Sequence, residues 1–285
     1  MSSNSRDNRA LVGAALIAAP VLAGIAYAAA ASLGSVGPGA SGVEPGRLVR
    51  VLGERATWNG LGFTLWISGV ATALATAAAV TVAVTFRRST RFDGAMRAIA
   101  AVPLAVPHIV AGALGVWILA QSGMIARFLV GVGLIAAPSQ MPALVYDPLG
   151  LGLAFTMAWK EFAFLLVVTA ALLTTQETDL EEAARTLGAG PWATFRRVTL
   201  PVLWRGLLPA VIAVFVFVAG SYEAAALLAP SDPVVLPLLV SERAADPDLA
   251  RRGDAYVISL LLLALGAIAV VVHEWARAGW EPLGE

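Results

Sequence analysis

Residues 181–201 read EEAARTLGAGPWATFRRVTLP, the most hydrophilic helix-forming stretch between the long apolar runs of the chain. Thr178, three residues before Glu181, fits a capping box and predicts a helix starting at Thr178. Glu181 and Arg185 stand four apart on that helix and can pair. Ala183 and Ala184 keep one face small. Gly188 suits the stop, where a left-handed backbone is often needed. Pro191 suits the first turn of a second short helix, expected to end near Arg197 and to be closed by Leu200-Pro201. Helix, sharp turn and short helix make a rigid knob that can fit a groove on a partner. From caps and charge alone, the same stretch also reads as an ordinary connector lying on a membrane surface.

Outward from this stretch the chain is apolar. It has 285 residues, 59% of them apolar and 13% charged, against about 25% charged in soluble domains. Apolar runs of roughly 17–25 residues recur, each long enough for a hydrocarbon core of about 30 Å. The reading is an all-α membrane protein with six transmembrane helices, near 11–31, 62–86, 98–120, 150–173, 207–230 and 255–273. The first run is too long for a signal peptide's apolar segment and is expected to be retained. Pro103 and Pro107 predict a kink in the third span. Met124–Ala137 reads as an external or re-entrant helix, and 231–254 as an external segment. Residues 33–56 read as an external loop or short interfacial helix. Zero net charge gives no reason to expect a nucleic-acid partner. The absence of Cys excludes disulfide and thiol chemistry.

Arginine placement orients the spans. With both ends inside, eleven arginines fall on the cytoplasmic side, among them Arg6, Arg9, Arg87, Arg88, Arg91, Arg97, Arg196 and Arg205. Seven fall outside, including Arg251 and Arg252 beside the sixth span. The bias follows the positive-inside rule but is modest.

Glu182-Ala183-Ala184, three residues, Gly188, nine residues, Val198, one residue, Leu200-Pro201: this pattern resembles the cytoplasmic loop signature of permease subunits of binding-protein-dependent type I ABC importers. The match is complete, with Val in the aliphatic slot, and the likeness runs from about 57 to 275. It implies the MetI-like permease fold, with a cytoplasmic coupling-helix loop between spans four and five. It divides the chain into 1–56 (first span and external loop), 57–275 (permease domain, signature loop 178–201) and 276–285 (cytoplasmic tail). It implies a multi-pass protein of the cytoplasmic membrane with both termini inside. The expected partners are two ATP-binding cassette subunits, a second permease subunit (a different chain or an identical one), an external substrate-binding protein and the lipid bilayer. Glu182, Ala183, Ala184, Gly188, Ala189, Pro191, Trp192, Phe195, Arg197, Leu200 and Pro201 are the implied ATPase-coupling residues. No cofactor is expected in this chain. The sequence has no G-x-x-x-x-G-K-[ST] loop, so ATP and magnesium belong to the partner. The chain is thus expected to be a transport subunit and not an enzyme.

Ionisable residues at membrane depth are costly and commonly functional. Lys160, the single lysine, and Glu161 lie in the fourth run, Glu223 with Tyr222 in the fifth, and His108 beside Pro107 in the third. These five are the candidate substrate-path residues. Lys160 with Glu161 reads equally as an internal ion pair or as a contact with the second permease subunit, and His108 as a satisfied interior residue. No second His or Cys stands at ligand spacing, so no metal is expected. Gly220-Ser221-Tyr222-Glu223 resembles the G-S-[YF]-E-x-P stretch of permeases for polyamines, thiamine and mineral ions, with Ala225 where Pro is usual, which leaves the local backbone break open. The solute class implied is polyamine, thiamine or a mineral or organic ion rather than a sugar, and carboxylates on the path favour a cation. The alternative is an ion-gradient-driven secondary transporter with Glu161, Glu223 and His108 as proton relay. Such carriers often show two similar halves, and no such repeat is evident here.

Overall fold

The structure is a computed structural model and describes residues 3–40, 42–87, 90–175 and 179–278. Among these residues the chain is helical without strands: α1 (Ser3–Ser32), α2 (Gly46–Gly53), α3 (Arg55–Thr85), α4 (Arg91–Ala100), α5 (His108–Leu119), α6 (Met124–Gly131), α7 (Leu151–Thr175), α8 (Asp179–Thr186), α9 (Pro191–Thr194), α10 (Leu200–Ala219), α11 (Glu223–Leu228), α12 (Leu236–Ala244) and α13 (Asp254–Ala278). Among the described residues, six stretches are long and apolar enough to cross a membrane: 12–32, 55–85, 108–131, 151–174, 191–219 and 254–277.

The core is the pair α3 and α7, the most extensive helix contact in the molecule. The reason lies in the side chains. Thr64, Ser68, Ala71, Thr72, Ala75, Ala79 and Ala83 repeat at three- and four-residue spacing on the buried face of α3. Small residues let two helices approach closely where lipid offers no hydrophobic drive for association. Three of the buried hydroxyls are satisfied within the helix, while Thr72 Oγ1 has no partner among the described residues: Thr64 Oγ1 donates to Gly60 O, Ser68 Oγ to Thr64 O and Thr76 Oγ1 to Thr72 O, each at 2.7 Å. Thr64 Oγ1 also accepts from the Leu236 N–H at 2.8 Å, which ties α12 to α3. Larger side chains from α7 and α10, among them Met157, Leu165, Leu166 and Leu207, fill the space on the other side.

Gly152 marks where the start of α7 is tightest. Asp147 accepts from the N–H groups of Leu151 (2.9 Å) and Gly152 (3.3 Å) and so caps the helix. A Cβ on Gly152 would overlap the Leu144 carbonyl. Gly152→Ala is therefore expected to destabilise the fold by about 1–3 kcal/mol, the usual range for overpacking. Thermal unfolding in detergent checks this, with Gly62→Ala as the control, because nothing lies near its Cβ position.

At the end of the bundle away from the signature loop, α2 lies against α13. Asp254 opens α13 and is fully buried. Arg50 donates two 2.8 Å bonds to its carboxylate, and Arg47 Nε lies 3.8 Å away. The Arg47 side chain is only 3% exposed, pairs with Glu44 at 3.3 Å and donates to the carbonyls of Ala31 (3.0 Å) and Ala250 (3.2 Å). Glu54 adds a bond from Arg243. One charge cluster thus joins α1, α2, α12 and α13. α1 is otherwise peripheral: it runs antiparallel to α13, with Tyr27 edge-on to Tyr256 at 5.7 Å.

Several expected boundaries need correction. The first span lies as expected at 12–32, in a helix that extends back to Ser3; the second begins at Arg55, and the helix of the sixth runs on to Ala278. The third is not one helix from 98. Ala100 ends α4, a 3-10 turn spans Val102–Ala105, and α5 starts at His108, because two prolines four residues apart, Pro103 and Pro107, leave no room for an unbroken ladder. His108 is thus the first residue of a helix and not inside one. Beyond a turn at 120–123 the same apolar stretch continues as α6. The fifth span stops at Ala219 instead of 230. The break that Ala225 in place of Pro left open is present: Gly220 closes α10, and Glu223 starts α11. Part of the external segment folds as α12, because Leu236 and Leu239 join Val51, Val257 and Ile258 in a second apolar cluster. Thr178 and its capping box, Arg88 and the tail beyond 278 lie outside the described residues.

Candidate functional site

The loop between α7 and α10 contains α8, a turn and α9. The turn follows from Gly188, whose φ is +85°. Its N–H bonds the Arg185 carbonyl at 2.9 Å, and the Ala189 N–H reaches back to Ala184 O at 3.0 Å. These two bonds form a Schellman stop, and they require the left-handed residue that glycine supplies without strain. Gly190 is extended, and Pro191 begins α9 at the position where no N–H is needed.

The second helix does not end near Arg197. It passes through one π turn, Phe195–Thr199, into α10, so 191–219 is a continuous helical stretch. The cause is Pro201. It cannot donate to a carbonyl in the preceding turn, and a wider turn accommodates the missing bond. The Leu200 N–H accordingly reaches Phe195 O, five residues back. Leu200 and Pro201 therefore lie in the first turn of α10 and do not close a separate helix.

Glu181 holds the loop to the bundle. Arg87, just past α3, donates from Nη1 to Oε1 at 2.9 Å and from Nη2 to Oε2 at 2.7 Å. Arg185 Nη2 donates to Oε2 at 3.2 Å, and Thr199 Oγ1 to Oε1 at 2.7 Å. The Arg87 bonds, with help from Thr199, keep the Glu181 carboxyl below its ordinary pKa, and the same contact raises the Arg87 guanidinium. The expected Glu181–Arg185 pair is present, but Arg87 and Thr199 are the stronger partners. Neither was legible in the sequence, since Arg87 lies 94 residues away. The only hint was the doubled Glu181-Glu182.

The other loop residues face outward. Glu182, Ala183, Gly188, Pro191, Trp192 and Arg197 are exposed, while Ala184, Ala189, Phe195 and Leu200 are half-buried. Leu187 is 88% and Trp192 70% exposed. Trp192 and Phe195 hold their rings 5.6 Å apart. An exposed apolar tip on an otherwise polar loop is what a docking surface looks like.

The five intramembrane candidates separate into two groups. His108 Nε2 lies 2.9 Å from Glu161 Oε1, and the imidazole packs on Phe217 with ring centres 4.8 Å apart. The break before α5 and the end of α10 therefore meet beside the middle of α7. Lys160 and Glu161 are buried, at 5% and 7% exposure. They do not pair with each other, and among the described residues Lys160 has no hydrogen bond or ion pair. Tyr222 and Glu223 form the other group. Both are exposed at the gap between α10 and α11, and no hydrogen bond among the described residues joins Glu223 to His108 or Glu161. The structure brings together neither a relay of all three nor a metal-binding group among the described residues.

Three comparisons bear on this arrangement. The family described as binding-protein-dependent transport system inner membrane component matches residues 71–279. The probable sulfate transport system permease protein cysT of Nephroselmis olivacea is 27% identical over 179 residues, covering 62% of this chain and 58% of that protein. The molybdenum transport system permease protein ModB of Escherichia coli is 28% identical over 193 residues, covering 64% and 76%. The match thus spans less than two thirds of the sulfate relative. In fold, the chain is similar to a chain in the crystal structure of a bacterial alginate ABC transporter with its alginate-bound periplasmic protein. The TM-score is 0.74 at 16% identity, over 95% of this chain and 94% of that one. The chain belongs to the family of binding-protein-dependent transport system inner membrane components, as an integral, multi-pass member.

Proposed function

We propose that this chain is the permease subunit of an ABC importer and moves a small mineral oxyanion across the cytoplasmic membrane by alternating access. The carrying observation is the knob at Gly188: a left-handed stop between two short helices, tipped by exposed Leu187 and Trp192 and continuous with α10. In this reading the tip docks on a cytoplasmic ATP-binding subunit, and both termini lie on that side. A second permease completes the path, two ATPases power it and an external binding protein delivers the solute. ATP is hydrolysed by the partners, and this chain performs no covalent chemistry.

The names of relatives that handle sulfate and molybdenum support the oxyanion. Charge at mid-membrane agrees with it. Glu161 is engaged by His108, which weakens the case for a cation, while the Lys160 amine at the same level is left without a carboxylate partner among the described residues. The path assignment falls on Tyr222 and Glu223, which are open to the gap after α10. Lys160, Glu161 and His108 act from behind as an inner polar layer.

Purification of the tagged chain in mild detergent should recover an ATP-binding subunit, and membrane vesicles should accumulate radiolabelled sulfate or molybdate on ATP addition. A chain recovered without any ATPase would overturn the importer reading. ATP-driven uptake of spermidine in place of either anion would overturn the oxyanion. Glu223→Gln is expected to lower the initial uptake rate about ten-fold without lowering assembly, since an ionisable residue at membrane depth commonly marks the substrate path. Unchanged uptake by an assembled variant would remove Glu223 from the path.

A further inference from the structure

We infer that Glu181 is a positioning residue that fastens the signature loop to α3, so that a displacement of the loop is delivered to α3 as well as to α10. The inference rests on the importer reading. The loop has a covalent route into α10 through the π turn and another into α7 through 176–178. It has none into α3, which ends at Thr85. Glu181 supplies the missing connection. Its carboxylate is the common acceptor for the fork of Arg87 beyond α3, for Arg185 on its own helix and for Thr199 in the π turn.

The geometry favours transmission over decoration. Single exposed ion pairs contribute little, but this one is bidentate, and a planar fork resists rotation as well as separation. The Glu181 side chain is 13% exposed and Thr199 3%, so the acceptor sits under the loop and not on its rim. The other end of the connection is also stiff. α3 is a 31-residue helix whose small-residue face lies along α7, so a shift at Arg87 moves the core pair of the bundle. The neighbouring Glu182, the acidic residue of the signature itself, is exposed and makes no hydrogen bond among the described residues. The two adjacent carboxylates thus divide the work: Glu182 faces outward, and Glu181 faces the bundle.

The test uses the full complex in proteoliposomes and reads solute imported per ATP hydrolysed. Glu181→Gln and Arg87→Ala should each leave the ATPase bound and lower that ratio about ten-fold, within the range of coupling between directly bonded groups. The double variant should be no worse than the poorer single one, because both break the same link. Arg87→Lys, which keeps the charge but loses the fork, should fall between wild type and Arg87→Ala. Wild-type ratios in the single variants, multiplicative losses in the double, or variants that no longer assemble would each overturn the inference while leaving the importer intact. A wild-type chain that binds no ATPase and imports nothing would overturn the importer reading, and the inference with it.

Discussion

Asp254→Ala is expected to cost about 3–5 kcal/mol of stability, the range for removing one partner of a buried ion pair. The carboxylate is fully buried, and its two oxygens take both bonds of the Arg50 fork. Its loss would leave Arg47 as a 3% exposed guanidinium with only Glu44 for charge balance, and Arg47 Nε already lacks a hydrogen-bond partner. The start of α13 would lose its tie to α2, and α1 part of its support, since Arg47 also holds the Ala31 carbonyl. The expected result is a large fall in melting temperature in detergent and a smaller monodisperse peak on size exclusion. Asp254→Asn keeps an acceptor and should fall between. Arg50→Ala removes a cation that is itself 46% exposed and should cost less than Asp254→Ala. An unchanged melting temperature in Asp254→Ala would refute the cluster as the clamp of this end.

Gly188→Val is expected to lower coupled uptake by about 100-fold with little effect on protein yield. The space around Gly188 is open, so no side chain clashes there. The cost is in the backbone, since φ is +85°. A left-handed conformation costs an L-residue about 1–2 kcal/mol, and a β-branched residue is the least tolerant of it. The chain can relieve that strain by leaving the Schellman stop, which swings Leu187 and Trp192 off their positions. Asparagine visits this region most readily, so uptake should decline in the order Asn, Ala, Val. Gly188→Asp should resemble Asn if backbone alone matters, and fall below Ala if a charge at the docking tip also interferes. Equal uptake by Asn and Val variants would show that the left-handed turn is not what function requires.

Local chemistry made part of this site legible. The stop at Gly188 and the start at Pro191 each follow from one residue's backbone, and both can be read without a fold. The six apolar runs follow from length and composition in the same way. What escaped was non-local. Pro201 looked like a terminator, yet one wide turn lets the helix pass it. His108 and Glu161 are 53 residues apart, and no period in either segment announces their bond. Glu181 showed its neighbour Arg185 in the sequence and concealed Arg87 and Thr199. Gly220 ends α10 without the proline that the resemblance called for, and nothing in the local sequence announced it.

The unbroken run from Pro191 to Ala219 has a mechanical meaning. Its 29 residues at 1.5 Å each span about 43 Å, with the loop that we propose docks the ATPase at one end and the Gly220 gap at the other. A rod of that length tilted by about 5° carries its far end through roughly 4 Å, more than the width of a water molecule. In the proposed reading, a tilt of this run about its loop end is felt as a displacement of that size beside Tyr222 and Glu223.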